Sequence, residues 1–232
     1  AGYKTINTAN LPVSIVTPDQ YVGVTTYIGN GGTNRNISDF NFRPDLVWVK
    51  RRDSAAYHIL TNSVIGASNY LVTNTADASS SGGSQLINGF NPDGFKIGNE
   101  NAVNNASTPG HYVAWGWKAG GNENTFNIDG VGYASAAAAG LSGATIDPSA
   151  ASVNTKAGFS ILKFEAQSSG NATIKHGMGR KPAFWMYKPI DNTTDWYAYH
   201  QSLGASAWVK PNSNDAPTTS NSAAWGGTEP TT

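Results

Sequence analysis

Cysteine is absent from all 232 residues, and with it go disulfide scaffolds, thiol nucleophiles and thiolate metal centres. Charge is scarce too. Lys, Arg, Asp and Glu together make up 13% of the chain, against ~25% in an ordinary globular protein, and 15 positive side chains balance 15 negative ones. A neutral, charge-poor surface has no field with which to collect nucleic acid or an anionic membrane, so neither is expected as a partner. No apolar run approaches the ~20 residues that span a bilayer, and the first residues lack the basic-then-apolar order of a secretory leader. Membrane insertion is not expected.

What is abundant points to turn-rich β-structure. Glycine occurs 26 times, beside 7 Trp, 10 Tyr and 8 Phe. That many aromatics bury far more surface than a disordered chain carries, and Asn, Ser, Thr and Gly supply the turns between short strands. Residues 1–20, with Leu11-Pro12 and Pro18, read as an extended arm whose apolar Leu11, Val13, Ile15 and Val16 need another surface to lie against. A first unit spans 21–121, with strands expected at 22–28, 46–51, 57–62, 70–74, 94–98 and 112–118. In the last of these, Tyr112, Ala114 and Gly116 alternate with Val113, Trp115 and Trp117, and the tryptophan face is expected to be the core face. Residues 122–156 are rich in Gly, Ala and Ser and read as a connection. Strand chemistry resumes in 157–232, at 158–164, 172–176, 184–188, 196–200 and 207–210.

The chain repeats itself. Pro44-Asp-Leu-Val-Trp-Val-Lys50 returns as Pro182-Ala-Phe-Trp-Met-Tyr-Lys188, and Gly66 and Asn74 return as Gly204 and Asn212, all at one offset of 138. A unit of that length is a domain rather than a solenoid repeat. Each copy also carries a Tyr-His pair, Tyr57-His58 and Tyr199-His200, which reads as a shared place in the two copies. Nothing after Thr232 matches the strands at 94–98 and 112–118. The second unit is therefore expected to be incomplete, leaving apolar residues such as Phe184 and Tyr187 at an open edge, to be covered by further chain or by a neighbouring subunit. The fold expected from these patterns is all-β, with antiparallel β-sandwiches.

Several runs resemble a known family: Thr26-Tyr-Ile-Gly-Asn-Gly31, Phe42-Arg-Pro-Asp-Leu-Val-Trp-Val-Lys50, Tyr57-His58, Phe90-Asn-Pro-Asp-Gly-Phe95, Tyr112-Val-Ala-Trp-Gly-Trp-Lys-Ala-Gly120 and Gly158-Phe-Ser-Ile161. Together they are similar to tandem domains of structural and tail-fibre-like proteins of tailed phages, notably phages of marine bacteria and cyanobacteria. The second copy departs from the pattern where Phe164-Glu-Ala-Gln-Ser168 takes the place of the Tyr-Thr-Gly-Asn-Gly stretch. The resemblance implies two concanavalin-like jelly rolls in a virion, in a tail fibre or an attached appendage. It also implies a homo-oligomer, with the N-terminal arm seated on other virion subunits and a host-surface glycan as receptor. It brings no catalytic residues. A carbohydrate-binding module or lectin of cellular origin, and a glycan-cleaving tailspike, are the alternatives.

The residues offer little reactive chemistry of their own. There is no Gly-x-Ser-x-Gly elbow, and Gly204-Ala-Ser206 repeats Gly66-Ala-Ser68 as a turn. His58, His111, His176 and His200 show no metal spacing, and Glu100, Glu123, Glu165 and Glu229 are scattered without a paired carboxylate. An enzyme, a cofactor and a metal site are accordingly not expected. What remains is aromatic. A sugar ring stacks its C–H face on Trp or Tyr while neighbouring amides satisfy its hydroxyls, and the candidates for such contact are Tyr57, His58, Tyr199, His200 and, as the best exposed aromatic, Trp196 after the polar turn 191–195.

Overall fold

The computed structural model describes residues 17–106 and 110–232. Leu11, Val13, Ile15 and Val16, and with them most of the expected arm, lie outside the described residues. The arm's last residues, Pro18–Gln20, form one 3-10 turn. The strands that follow are β1 (Val22–Ile28), β2 (Arg35–Ile37), β3 (Leu46–Arg51), β4 (Ile59–Asn62), β5 (Asn69–Val72), β6 (Ser80–Ser81), β7 (Ile87–Asn91), β8 (Gly94–Ile97), β9 (His111–Trp117), β10 (Phe126–Ile128), β11 (Val131–Tyr133), β12 (Ala150–Asn154), β13 (Phe159–Lys163), β14 (Phe184–Tyr187) and β15 (Tyr197–His200). A four-residue helix, α1 (Asn101–Asn104), precedes β9. The protein is all-β, as its turn residues and aromatics indicate.

A six-stranded antiparallel sheet in the order β1-β9-β3-β4-β5-β6 packs on a three-stranded sheet, β2-β8-β7, in a sandwich-like arrangement. Their common core takes Tyr27, Val47, Val49, Ile59, Tyr112 and Ala114 from the large sheet and Ile37, Ile87, Phe95 and Ile97 from the small one. β9 is a central strand, paired on both sides: Val22 with Trp117 toward β1, Leu46 with Trp117 toward β3. The inward face of β9 corrects the sequence reading. Tyr112, Ala114 and Gly116 point into the sandwich, and Trp115 and Trp117 stand half-buried on the opposite face. The reason is Phe40. Its ring lies flat over two glycines, so that a Cβ on Gly23 would sit 2.4 Å from Phe40 Cδ1 and one on Gly116 2.3 Å from Cε2. Small residues on this face make room for an aromatic delivered from the loop after β2, which strand alternation alone does not reveal.

Residues 122–156 are not a plain connection. They carry β10, β11 and β12, which join β13 in a four-stranded sheet, β11-β10-β12-β13, around Phe126, Leu141, Ala151, Val153 and Met178. The expected strand at 172–176 is reduced to a single bridge between Ile146 and Ile174.

The sequence repeat returns as hydrogen-bonding register. β3 and β4 pair Leu46 with Asn62 and Trp48 with Leu60, while β14 and β15 pair Phe184 with His200 and Met186 with Ala198, each 138 residues on. Leu60 opposite Leu71 and Tyr70 opposite Ser80 return as the bridges Ala198 to Val209 and Trp208 to Thr218. Side chains follow. The Asn74 amide oxygen accepts from the His58 backbone N–H at 2.8 Å, and Asn212 accepts from Trp196 N–H at 2.9 Å. This register corrects the Tyr-His equivalence: His58 corresponds to Trp196, and His200 to Asn62. The two β3-type pairs meet back to back. Leu60 and Leu71 form a cluster with Trp196, bordered by Leu46, Trp48 and Met186.

Candidate functional site

The loop between β3 and β4, residues 52–58, carries one large aromatic, Tyr57, and leaves it 55% exposed. Two shallow depressions flank it. One, of about 440 Å³, is lined by Ala55, Ala56, Asn74, Glu100, Asn101 and Ala102, and the other, of about 380 Å³, by Tyr70, Val72, Asp77, Ala78, Ser79 and Ser80; Tyr57 belongs to both. The surroundings of the ring are fixed. Asn74 holds the loop by accepting from His58 N–H, and Asn101 accepts from Arg51 Nη1, whose Nε also donates to Asp53 at 2.8 Å. The Asp53 carboxyl is held below the usual carboxylate range by that bond. On the far side, Ser79 N–H donates to the Ile190 carbonyl at 2.8 Å, which ties the second wall to the repeated segment. An exposed phenol ring with amides and a carboxylate on one side and hydroxyls on the other can stack on a sugar face and satisfy its hydroxyls.

His58 faces the other way from the ring, with Nε2 2.7 Å from Lys50 Nζ. Burial lowers its pKa, and the Lys50 charge lowers it further. A neutral imidazole therefore accepts the lysine's hydrogen. As pH falls below the ordinary histidine value of about 6.5, the unfolded chain takes up a proton before the folded one does, so stability should decline toward acid over that window and recover as pH rises. Urea titrations of the wild type and His58→Gln between pH 5 and pH 7.5 check this: the two curves should converge as the solution becomes acidic, and parallel curves would remove His58 from the account.

The five sequence candidates do not form one surface. Trp196, expected as the best exposed aromatic, is 3% exposed, and its indole N–H donates to the Val72 carbonyl at 2.9 Å. Tyr199 is fully buried, stacked on Trp185 with ring centroids 3.7 Å apart, and its hydroxyl donates to Glu229. Burial, reinforced by that carboxylate, pushes the Tyr199 phenol up to about 12. His200 is exposed at the end of β15, where Nδ1 accepts from Ser202 N–H. Of the three tyrosine and tryptophan candidates, Tyr57 is the one that is open. Of the residues around it, Asn74 was legible as an anchor of the repeat, whereas Glu100 and Asn101 reach the depression through the chain reversal before β9, for which the sequence gives no local signal. Among the described residues, no group of three or more His, Asp or Glu side chains is placed to hold a metal ion, and no helix is long and apolar enough to cross a membrane.

Residues 17–232 match a protein family described as Domain of unknown function (DUF7483). No curated protein and no solved structure matches the chain.

Proposed function

The chain belongs to the DUF7483 family, and from that premise we propose that it is a non-enzymatic structural component of a tailed-phage virion, a tail fibre or attached appendage, that also contacts a glycan through Tyr57. The reading has two jelly-roll units in tandem, the second of them incomplete. The recurrence of strand register at 138 residues supports two copies of one plan.

The observation that carries the proposal is where the phage-like runs are spent. Tyr27 donates its hydroxyl to the Val103 carbonyl and stacks on Tyr112, and Gly29 lies where a Cβ would come 2.5 Å from the Asn105 carbonyl oxygen. Asp45 binds the backbone of Ala119 and Gly121. These residues build framework. The exposed ring they leave over, Tyr57, is suited to recognition, with Glu100 and Asp77 in separate depressions on its two sides. Other virion subunits, a sister copy of the chain and a host-surface glycan are the partners in this reading.

Labelled antibody against the protein, applied to purified particles, should decorate the tail or an appendage in electron micrographs, and the protein should sediment with the particles. Recovery of all of it as free soluble protein would favour instead a carbohydrate-binding module of cellular origin. On a host-glycan array, Tyr57→Ala should lose binding by about tenfold or more, given that one aromatic platform carries the contact, while release of reducing sugar by the wild type would turn the reading into a glycan-cleaving tailspike.

A further inference from the structure

In the first copy, β3 is paired on both edges, by β4 on one side and β9 on the other. Among the described residues its counterpart β14 pairs only with β15. Backbone parity identifies the edge left over. Arg52 N–H donates to the His111 carbonyl at 2.7 Å and Ser63 N–H to the Asp45 carbonyl at 2.7 Å, so even-numbered residues of β3 turn their amides toward β9 and odd-numbered ones toward β4. In the second copy Gln201 N–H donates to the Ala183 carbonyl at 2.9 Å. The odd-numbered residues again face the β4-type strand, and Phe184 and Met186 direct their backbone groups to the side where no described strand lies.

Exposure falls where β9 would cover it. Phe184 corresponds to Leu46, which lies opposite Trp117 of β9, and Phe184 is 56% exposed. Leu46 is half-buried in the first copy, whereas Phe184 is left open. A large apolar side chain is thus uncovered at the position whose counterpart lies opposite β9 in the first copy. An unpaired edge carrying an exposed aromatic is a template for strand addition.

We propose that the edge of β14 left open by the described residues is an acceptor site for one antiparallel strand of β9 chemistry, supplied from outside those residues. The inference rests on the two-copy reading above and not on the virion assignment. Side-chain volume defines the occupant. In the first copy Val47 and Val49 face Gly116 and Ala114 across the β3–β9 ladder. Here their counterparts are the larger Trp185 and Tyr187, half-buried beneath the Trp225 ring. The incoming strand must therefore present glycine or alanine at alternate positions on that face, and an aromatic on the other, opposite Phe184. His111–Trp117 has that alternation, and β9 of the same chain is already held between β1 and β3.

The probe is a fluorescent peptide with the sequence of residues 111–118, added to the intact protein. It should bind saturably, and a scrambled peptide should bind at least about tenfold more weakly, since only one alternation fits a sheet edge with one buried face. Phe184→Pro removes an amide that faces the incoming strand at the first residue of β14, where the side chain is exposed, and leaves the β14–β15 ladder intact, so it should weaken binding about tenfold or more with little change in thermal stability. The register has its own readout, because the chain has no cysteine. Phe184→Cys should form a disulfide under mild oxidation with a peptide bearing cysteine at the Trp117 place, as the ~5.5 Å Cα separation of a hydrogen-bonded pair permits. Absence of saturable binding to either the wild type or Phe184→Cys overturns the acceptor site and leaves the repeat as it stands. Saturable binding that cross-links only through Met186→Cys or Tyr187→Cys overturns the assigned register, and with it the two-copy reading on which the site was built.

Discussion

Replacing Trp196 by alanine is expected to lower the unfolding free energy by about 3–5 kcal/mol, the range for emptying a buried aromatic site. The ring is 3% exposed and packs among Leu60 and Leu71, with Ile65, Met186 and Ile190 around the cluster. Its indole N–H is bound to the Val72 carbonyl at 2.9 Å, and truncation leaves that carbonyl without its partner in a dry interface. Two effects therefore add, cavity and lost hydrogen bond. Trp196→Phe separates them, since it keeps most of the volume and should cost about 1–2 kcal/mol for the unmet polar group and the smaller ring. Chemical denaturation followed by far-UV circular dichroism measures both. A loss below about 1 kcal/mol for Trp196→Ala would mean that the back-to-back contact of the two repeats contributes little to stability.

The second large effect lies at Asp45. Its side chain is 1% exposed and accepts from the Ala119 N–H at 2.7 Å and the Gly121 N–H at 3.2 Å, both through Oδ2. Arg43 Nη1 lies 3.7 Å from the other oxygen. Asp45→Ala strands two backbone donors at the point where the chain leaves β9 for the next sheet, and should cost about 2–4 kcal/mol. Asp45→Asn should cost much less, because the amide oxygen can take over both bonds without a buried charge. Burial raises the Asp45 pKa, more than the two backbone bonds, the nearby Ser63 hydroxyl and Arg43 lower it. A raised carboxyl holds its proton in the folded state after the unfolded chain has released it near the ordinary value of about 3.9. Stability attributable to Asp45 is thus full in acid and declines as pH rises from there through the raised value. The gap between wild type and Asp45→Asn should shift in favour of the asparagine variant across that interval, and a pH-independent gap would contradict the assignment.

Strands with strong alternation were legible to within a residue or two, as β1, β3 and β9 show. The layer they face was not. Both sides of β9 are covered, one by the Phe40 ring lying on Gly23 and Gly116, the other by its tryptophans and the neighbouring strands, and a period of two cannot rank two covered faces. Trp196 misled for a related reason. It follows a polar turn, which normally marks surface, but the surface it meets belongs to the other repeat, and a contact between segments 124 residues apart has no local signature. Residues 122–156 hid their strands because small side chains such as Ala151 and Ser152 carry little β-propensity, and their placement depends on the packing of Leu141, Val153 and Met178 around them. The Tyr-His pair was a coincidence of composition that the hydrogen-bonding register of the repeat resolves. Tyr57 stands in a motif of the sequence, and the structure leaves it exposed in a loop whose Ala56 and His58 are half-buried.

The position of β9 in the large sheet also sets a timetable. Val22 of β1 pairs with Trp117, 95 residues downstream, and β3 needs the same strand for its second edge. At roughly 5–20 residues per second on the ribosome, β1 waits on the order of 5–20 s for the strand that seats it, with Tyr27 and the glycine shelf for Phe40 uncovered in the meantime. The hairpins from β3 to β6 close locally well before that. The sheet is thus completed from its middle by its latest arrival, and the nascent chain spends its most adhesive interval just before Trp117 emerges.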